Sequence, residues 1–127
     1  MLYVKEARGT VAEVTERVQT ATKARGFGVL AVLDLKAKMV EKGVDFGPEC
    51  RILEVCNPKQ AKAVLTADMS VSTALPCRIS VYEESGKVKV ATLKPTAVLE
   101  LFGQVRLKPV AQEVEKVILG IIDEATG

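Results

Sequence analysis

Histidine and tryptophan are both absent from this 127-residue chain, and aromatic residues make up only 4% of it. Without histidine there is no Ser-His-Asp or Cys-His nucleophile pair and no His-containing zinc site. The side chain best suited to moving protons near neutral pH is missing as well. No CxxC occurs, so neither a zinc ribbon nor a thioredoxin-type redox pair can be drawn. GxGxxG is absent, as is the phosphate-loop pattern of GxxxxGK followed by Ser or Thr, so nothing marks a nucleotide site. Two tyrosines and three phenylalanines supply a poor base-stacking platform. The net charge is only +2, and Lys and Glu are interspersed in the manner of solvated faces rather than a phosphate-binding stripe, so no nucleic-acid partner is expected.

Long apolar runs are missing too. None approaches the roughly 18 residues of a membrane helix, and Lys5 and Glu6 interrupt the N-terminal segment before a signal-peptide core can form. No membrane partner is expected. Three cysteines, an odd number, suit a reducing compartment better than a disulfide framework, which points to the cytoplasm. Catalysis by Cys, Lys or a carboxylate is what the composition leaves to an enzyme. The accumulated absences weigh against one, and no cofactor is expected.

What is present suffices for one domain spanning 1–127: 48% hydrophobic residues for a core and 27% charged residues for a surface. Leu2 to Ala7 reads as a strand broken by Gly9. Thr10 and Glu13 form a capping box ahead of Val11, Val14, Val18 and Ala21 at helical spacing, and Gly26 supplies the stop. Phe27 to Leu35 is a strand with two largely apolar faces, which implies cover on both sides. Asp34 caps a short helix through Met39 and Val40 that ends at Gly43, and Asp45-Phe46-Gly47-Pro48 turns. Arg51 to Cys56 is the next strand, after which Asn57 N-caps a helix with Pro58 at its first position and a stripe of Ala61, Val64 and Leu65. Asp68 to Pro76 reads as irregular.

Cys77 to Thr92 is a hairpin: Cys77, Ile79 and Val81 alternate with Arg78, Ser80 and Tyr82, and Glu84-Ser85-Gly86-Lys87 turns. Pro95 opens a helix carrying Val98, Leu99 and Phe102 up to Gly103. Pro109 opens the last, with Val110, Val114, Val117, Ile118, Ile121 and Ile122 on one stripe. The fold class is α+β: a mostly antiparallel twisted sheet with helices packed on one face. A second apolar sheet face would need cover, so a homodimer through that face or an edge is expected.

The ordered set Gly26-Phe27-Gly28-Val29-Leu30, Gly43-Val44-Asp45-Phe46, Ile52-Leu53-Glu54-Val55-Cys56-Asn57-Pro58, Leu75-Pro76-Cys77-Arg78 and Val81-Tyr82-Glu83 resembles the domain-of-unknown-function 302 family over nearly the whole chain. Cys-Asn-Pro and Leu-Pro-Cys are its most specific parts. The resemblance implies a fold similar to the TATA-binding-protein type, β-α-β(4)-α in outline, in small cytoplasmic dimers. It implies no reaction, and likeness of fold to a DNA-binding protein does not supply a function.

The candidate site residues are Glu54, Cys56, Asn57, Cys77 and Arg78. One reading is a small-molecule site on the open sheet face around Ile52, Glu54 and Cys56, with Arg78 or Lys89 as an anion anchor. Glu54 between apolar neighbours needs either water or a partner. A second reading is that a partner subunit fills the same face and the conspicuous residues only set turns and caps. The alternative is a thiol-based redox or soft-metal site made by Cys56 and Cys77, with the N–H groups at the helix start lowering the Cys56 pKa. Strand parity opposes it: Cys77 shares a face with Ile79 and Val81, whereas Cys56 shares one with Ile52 and Glu54. Both thiols then serve as small buried hydrophobes, the common role of a free cysteine. Cys56 as a catalytic nucleophile has only Glu54 nearby as a base, a pairing with no established precedent. Cys50, at a turn, is incidental.

Overall fold

The computed structural model describes all of residues 1–127. Five strands form one antiparallel sheet: β1 (Leu2–Ala7), β2 (Gly28–Asp34), β3 (Cys50–Cys56), β4 (Cys77–Glu84) and β5 (Lys87–Leu93). Their order across the sheet is β1-β5-β4-β3-β2, so the first two strands in sequence are the two edges. Two long helices, α1 (Val11–Ala24) and α5 (Lys108–Thr126), pack against each other and on one face of the sheet. Helix α1 lies over β2, β3 and β4, and α5 over β1 and β5. Of three shorter helices, α2 (Leu35–Glu41) and α3 (Pro58–Ala67) interrupt the strand sequence, and α4 (Pro95–Glu100) lies between β5 and α5. The α+β class and the β-α-β(4)-α outline hold, with α2, α3 and α4 as insertions in that outline.

Local chemistry sets most of these boundaries. Thr10 Oγ1 accepts from the Glu13 N–H at 3.1 Å, and Glu13 Oε1 accepts from the Thr10 N–H at 3.0 Å, completing the capping box of α1. Hydrogen bonds from Thr10, its backbone N–H first and its hydroxyl second, hold the Glu13 carboxyl below its usual range. Asp34 Oδ1 accepts from Ala37 N–H to open α2, and Asn57 Oδ1 accepts from Lys59 and Gln60 N–H to open α3. Ser85 and Gly86, with φ of 53° and 77°, form the two-residue hairpin turn between β4 and β5.

The core lies between sheet and helices. Leu53, Val55, Ile79, Val81 and Val90 project from the central strands into Val14, Val18, Ile118, Ile121 and Ile122, all fully buried. Each such side chain contributes about 1.5–3 kcal/mol relative to exposure. The stripes read from the sequence on the two long helices are therefore what binds them to the sheet. A smaller second core of Val64, Val71 and Leu107, with Leu75, Leu99, Phe102 and Val110 against it, joins α3, α4 and the start of α5 beyond one end of the sheet.

Two expectations change. Asp68 to Pro76 is not irregular throughout: Met69–Ala74 is a 3₁₀ helix capped by Asp68, whose Oδ1 accepts from Ser70 N–H, and it buries Val71 completely. Within one chain the strand after Gly26 is not covered on both faces. It is the edge strand β2, a register shift between Val29 and Ala31 leaves Leu30 outside the pairing, and Leu30 and Val32 are 63% and 38% exposed. A bulge breaks strict alternation, so an apolar residue at that point need not meet a partner. No helix is long and apolar enough to cross a membrane.

Candidate functional site

The end of β3 and the start of β4 lie at the same end of the sheet, because Val55 pairs with Cys77. Beyond this last rung the chain leaves β3 directly into α3 and re-enters β4 through the cis Leu75–Pro76 peptide. Between α3, α4, α5 and these strand ends is a pocket of about 290 Å³. Its walls are mainly apolar: Phe27 and Val55 from the sheet end, Ala61 and Val64 from α3, Leu75 and Pro76 from the returning segment, Val98 and Leu99 from α4, Val110 and Val114 from α5. Cys56, Asn57, Gln60, Thr73, Cys77 and Arg78 supply the polar atoms.

The structure brings four of the five candidate residues together here: Cys56, Asn57, Cys77 and Arg78 all line the pocket, and Glu54 does not. Glu54 pairs across the strands with Arg78 on the face away from the long helices, its Oε2 3.8 Å from Arg78 Nε. The partner that a mid-strand carboxylate requires is thus Arg78. The pocket thus lies at the sheet's end and not on the open sheet face around Ile52 and Glu54. Lys89, the other candidate anion anchor, is bonded to Glu84 at 2.7 Å and lies outside the pocket.

Strand parity operates as the sequence suggested. Cys77 lies opposite Val55 on the core side, whereas Cys56 is one residue further along β3 and belongs to the other side. Both thiols nevertheless border the same pocket, because it wraps the end of the sheet instead of lying on one face. All three cysteines are free and partly buried. Burial pushes the Cys56 thiol up, and burial with the neighbouring Cys56 pushes Cys77 up to about 11. This reverses the expected lowering of Cys56 by the start of α3: Asn57 Oδ1 already takes the Lys59 and Gln60 N–H groups, and desolvation dominates. Neither thiol is a ready thiolate at neutral pH, and no group of three or more Cys, Asp or Glu side chains converges to hold a metal. The redox reading has no support in this geometry.

Sequence reasoning missed Gln60. It sits in the first turn of α3, lines the pocket, and its Oε1 is buried without a hydrogen-bond partner. No local pattern distinguishes a glutamine on a helix wall from one in solvent, so nothing short of the fold could single it out.

The architecture is that of an antiparallel five-stranded α+β domain with a pocket at one end of its sheet that combines apolar walls with a few polar atoms. The family model described as Domain of unknown function DUF302 matches residues 3–125. An uncharacterized conserved DUF302 protein from Bacillus stearothermophilus, known from its crystal structure, is similar at 35% sequence identity and a TM-score of 0.92 over 98% of this chain and 97% of that one. The chain belongs to the DUF302 family. No curated protein matches it. The family carries no named function, and neither comparison lends support to thiol redox chemistry.

Proposed function

We propose that this protein is a binding module that holds a small apolar or amphipathic molecule at the end of its sheet. The observation that carries the reading is the pocket itself: about 290 Å³, walled by side chains from the sheet, three helices and the Leu75–Pro76 segment, with few polar atoms among them. That is the general form of a small-molecule site, at the lower end of the usual size range. Arg78, two-thirds exposed and lining the pocket, stands at its rim. The test is a titration with toluene followed by backbone amide NMR. Saturable shifts confined to residues such as Val64, Cys77 and Val98, abolished when Ala61→Phe fills the space, support the reading. Absence of saturable shifts at millimolar toluene refutes it.

A second reading concerns the same chain in pairs, for which the open sheet face speaks. Leu2 and Leu93 are opposite one another on β1 and β5 and are 59% and 53% exposed, and Val4 beside them is 40% exposed. Tyr3, between Leu2 and Val4, turns to the helix side and bonds Asp123, so Leu2 and Val4 face away from the helices. A second copy of this chain is the proposed cover. Sedimentation of a dimer that Val4→Glu converts to monomer supports it, and a monomeric parent protein at high concentration removes it. The free thiols suit a cytoplasmic location, and the strand order with two long helices on one face suits the TATA-binding-protein type of fold.

A further inference from the structure

Three of the residues that line the pocket are exposed, Thr73, Arg78 and Leu93, and they mark its mouth. The walls behind them are buried or half-buried and carry no charge. Thr73 Oγ1 donates to Ser70 O at 2.8 Å, so its proton is used within its own turn of helix. Leu93 has no polar side-chain atom. Arg78 alone brings to the mouth donors that the fold leaves free.

The guanidinium is held only loosely. Its nearest carboxylate oxygen is Glu54 Oε2, 3.8 Å from Nε, which is too far for a hydrogen bond. The pair is therefore a charge contact, and the planar fork of N–H donors that matches a carboxylate stays open. No carboxylate lines the pocket, so an anion at the mouth meets one cation and no wall of its own sign. Glu54 offsets part of the Arg78 charge, which suits a singly charged group better than a dianion.

Solvation decides how such a molecule lies. A carboxylate deep in the pocket would lose its hydration among uncharged walls. At the mouth it keeps water on one side and takes Arg78 on the other, and the apolar part goes inward. An apolar cavity of about 150 Å³ holds benzene. A pocket of about 290 Å³ is nearly twice that, room for up to about a dozen non-hydrogen atoms.

We infer that the ligand is a small apolar monocarboxylic acid, with its body in the pocket and its carboxylate at the mouth on Arg78. This rests on the pocket reading above and makes Arg78 its specificity-determining residue. A charge-assisted contact that stays partly in water changes affinity by about fivefold.

The probes share one apolar body: phenylpropanoate, phenylpropanol and phenylpropylamine end in an anion, a neutral group and a cation. Dissociation constants come from the same amide-shift titrations, at low salt. The parent protein is expected to bind phenylpropanoate about fivefold more tightly than phenylpropanol, and phenylpropylamine least tightly. Arg78→Gln is expected to abolish the preference for the acid, and Arg78→Lys to keep part of it. Glu54→Gln leaves Arg78 in place and removes the competing carboxylate, so it is expected to tighten acid binding about twofold. Equal binding of acid and alcohol by the parent protein overturns the inference, as does tighter binding of the alcohol or the amine. A preference for the acid that survives in Arg78→Gln overturns it as well, and so does an acid affinity that stays the same or falls in Glu54→Gln. Toluene binding in any of these cases leaves the pocket reading standing. Failure of toluene and of all three probes removes both.

Discussion

Replacing Cys77 tests whether the end of the sheet is as poorly solvated as its walls imply. Burial, with the neighbouring Cys56 adding to it, pushes the Cys77 thiol from its ordinary 9.0 to about 11. Near pH 8 a thiol at 9.0 is about 10% thiolate and one at 11 about 0.1%, so ionisation alone slows alkylation about a hundredfold. The assay is iodoacetamide labelling of the intact protein across the alkaline range, with the Cys77 peptide quantified by mass spectrometry and the urea-unfolded chain as reference. In the unfolded chain the logarithm of the rate should level off near 9, while in the folded protein it should still be rising there. Thermodynamics gives an independent readout. Because the folded pKa lies above the unfolded one, the folded state keeps its proton through an interval in which the unfolded chain releases it. The contribution to stability is therefore complete below about pH 9 and is lost as pH rises toward about 11. Two pKa steps correspond to about 2.7 kcal/mol at most, and solvent contact of this partly buried side chain lowers the expected value to about 1–2 kcal/mol. Lysines titrate in the same range in parent and variant alike, so the comparison is with Cys77→Ala, whose stability should fall less steeply above pH 9. Parallel stability curves, or a folded-state labelling profile that levels off at 9 or below, would refute the reasoning that the thiol sits in a desolvated pocket.

Leu53 is fully buried on the interior strand β3, and Leu53→Ala should cost about 2–5 kcal/mol in denaturant unfolding; a loss below about 1 kcal/mol would show that the surroundings collapse onto the gap. Asn57→Ala removes the acceptor for two N–H groups at the start of α3 and should cost about 1 kcal/mol, with Asn57→Gly costing less; equal losses would mean the cap is not the cause. Tyr3 donates to Asp123 Oδ1 at 2.5 Å, and that bond first, then Lys5, holds the Asp123 carboxyl below its usual 3.8. A depressed carboxyl stabilises the fold above its ordinary value and loses that contribution as pH falls through the lower folded value. Tyr3→Phe should therefore lower the melting temperature slightly near pH 7, with the difference fading as acid protonates the carboxyl; a difference that grows in acid would contradict the assignment.

The parts of the fold that were legible in the sequence are those fixed by chemistry a few residues long. Thr10 with Glu13, Asn57 with Pro58 and Ser85 with Gly86 announce two helix starts and a turn because each satisfies its own backbone within one turn of chain. Helical spacing likewise revealed α1 and α5, whose apolar stripes are long enough to identify a face. Other features depend on where the sheet ends. The apolar run of β2 looked doubly covered, but exposure at Leu30 follows from a bulge on an edge strand, and strand order is not written in any short segment. Val71 was passed over because one valine among serines and threonines has no period, although it anchors the second core. The pocket gathers residues from Phe27 to Val114, so its existence is a property of the closed fold alone.

The cysteines show how a sound rule can yield an incomplete conclusion. Side-chain parity separates residues only while strands are paired, and the Val55–Cys77 rung is the last between β3 and β4. Past that rung Cys56 pairs only with Gly28 of β2, at the very end of the sheet, and there, though on the opposite side by parity, it borders the pocket with Cys77. Proximity in turn favours neutrality: each thiol is desolvated, and a charge on Cys56 would further disfavour one on Cys77. Two adjacent neutral thiols are polarisable, nearly apolar wall. In Cys-Asn-Pro the following residues complete that wall, Asn57 capping α3 and Pro58 fixing its first turn, so that Gln60, Ala61 and Val64 line the same pocket. The segment that looked most like chemistry is thus the framework of the pocket wall.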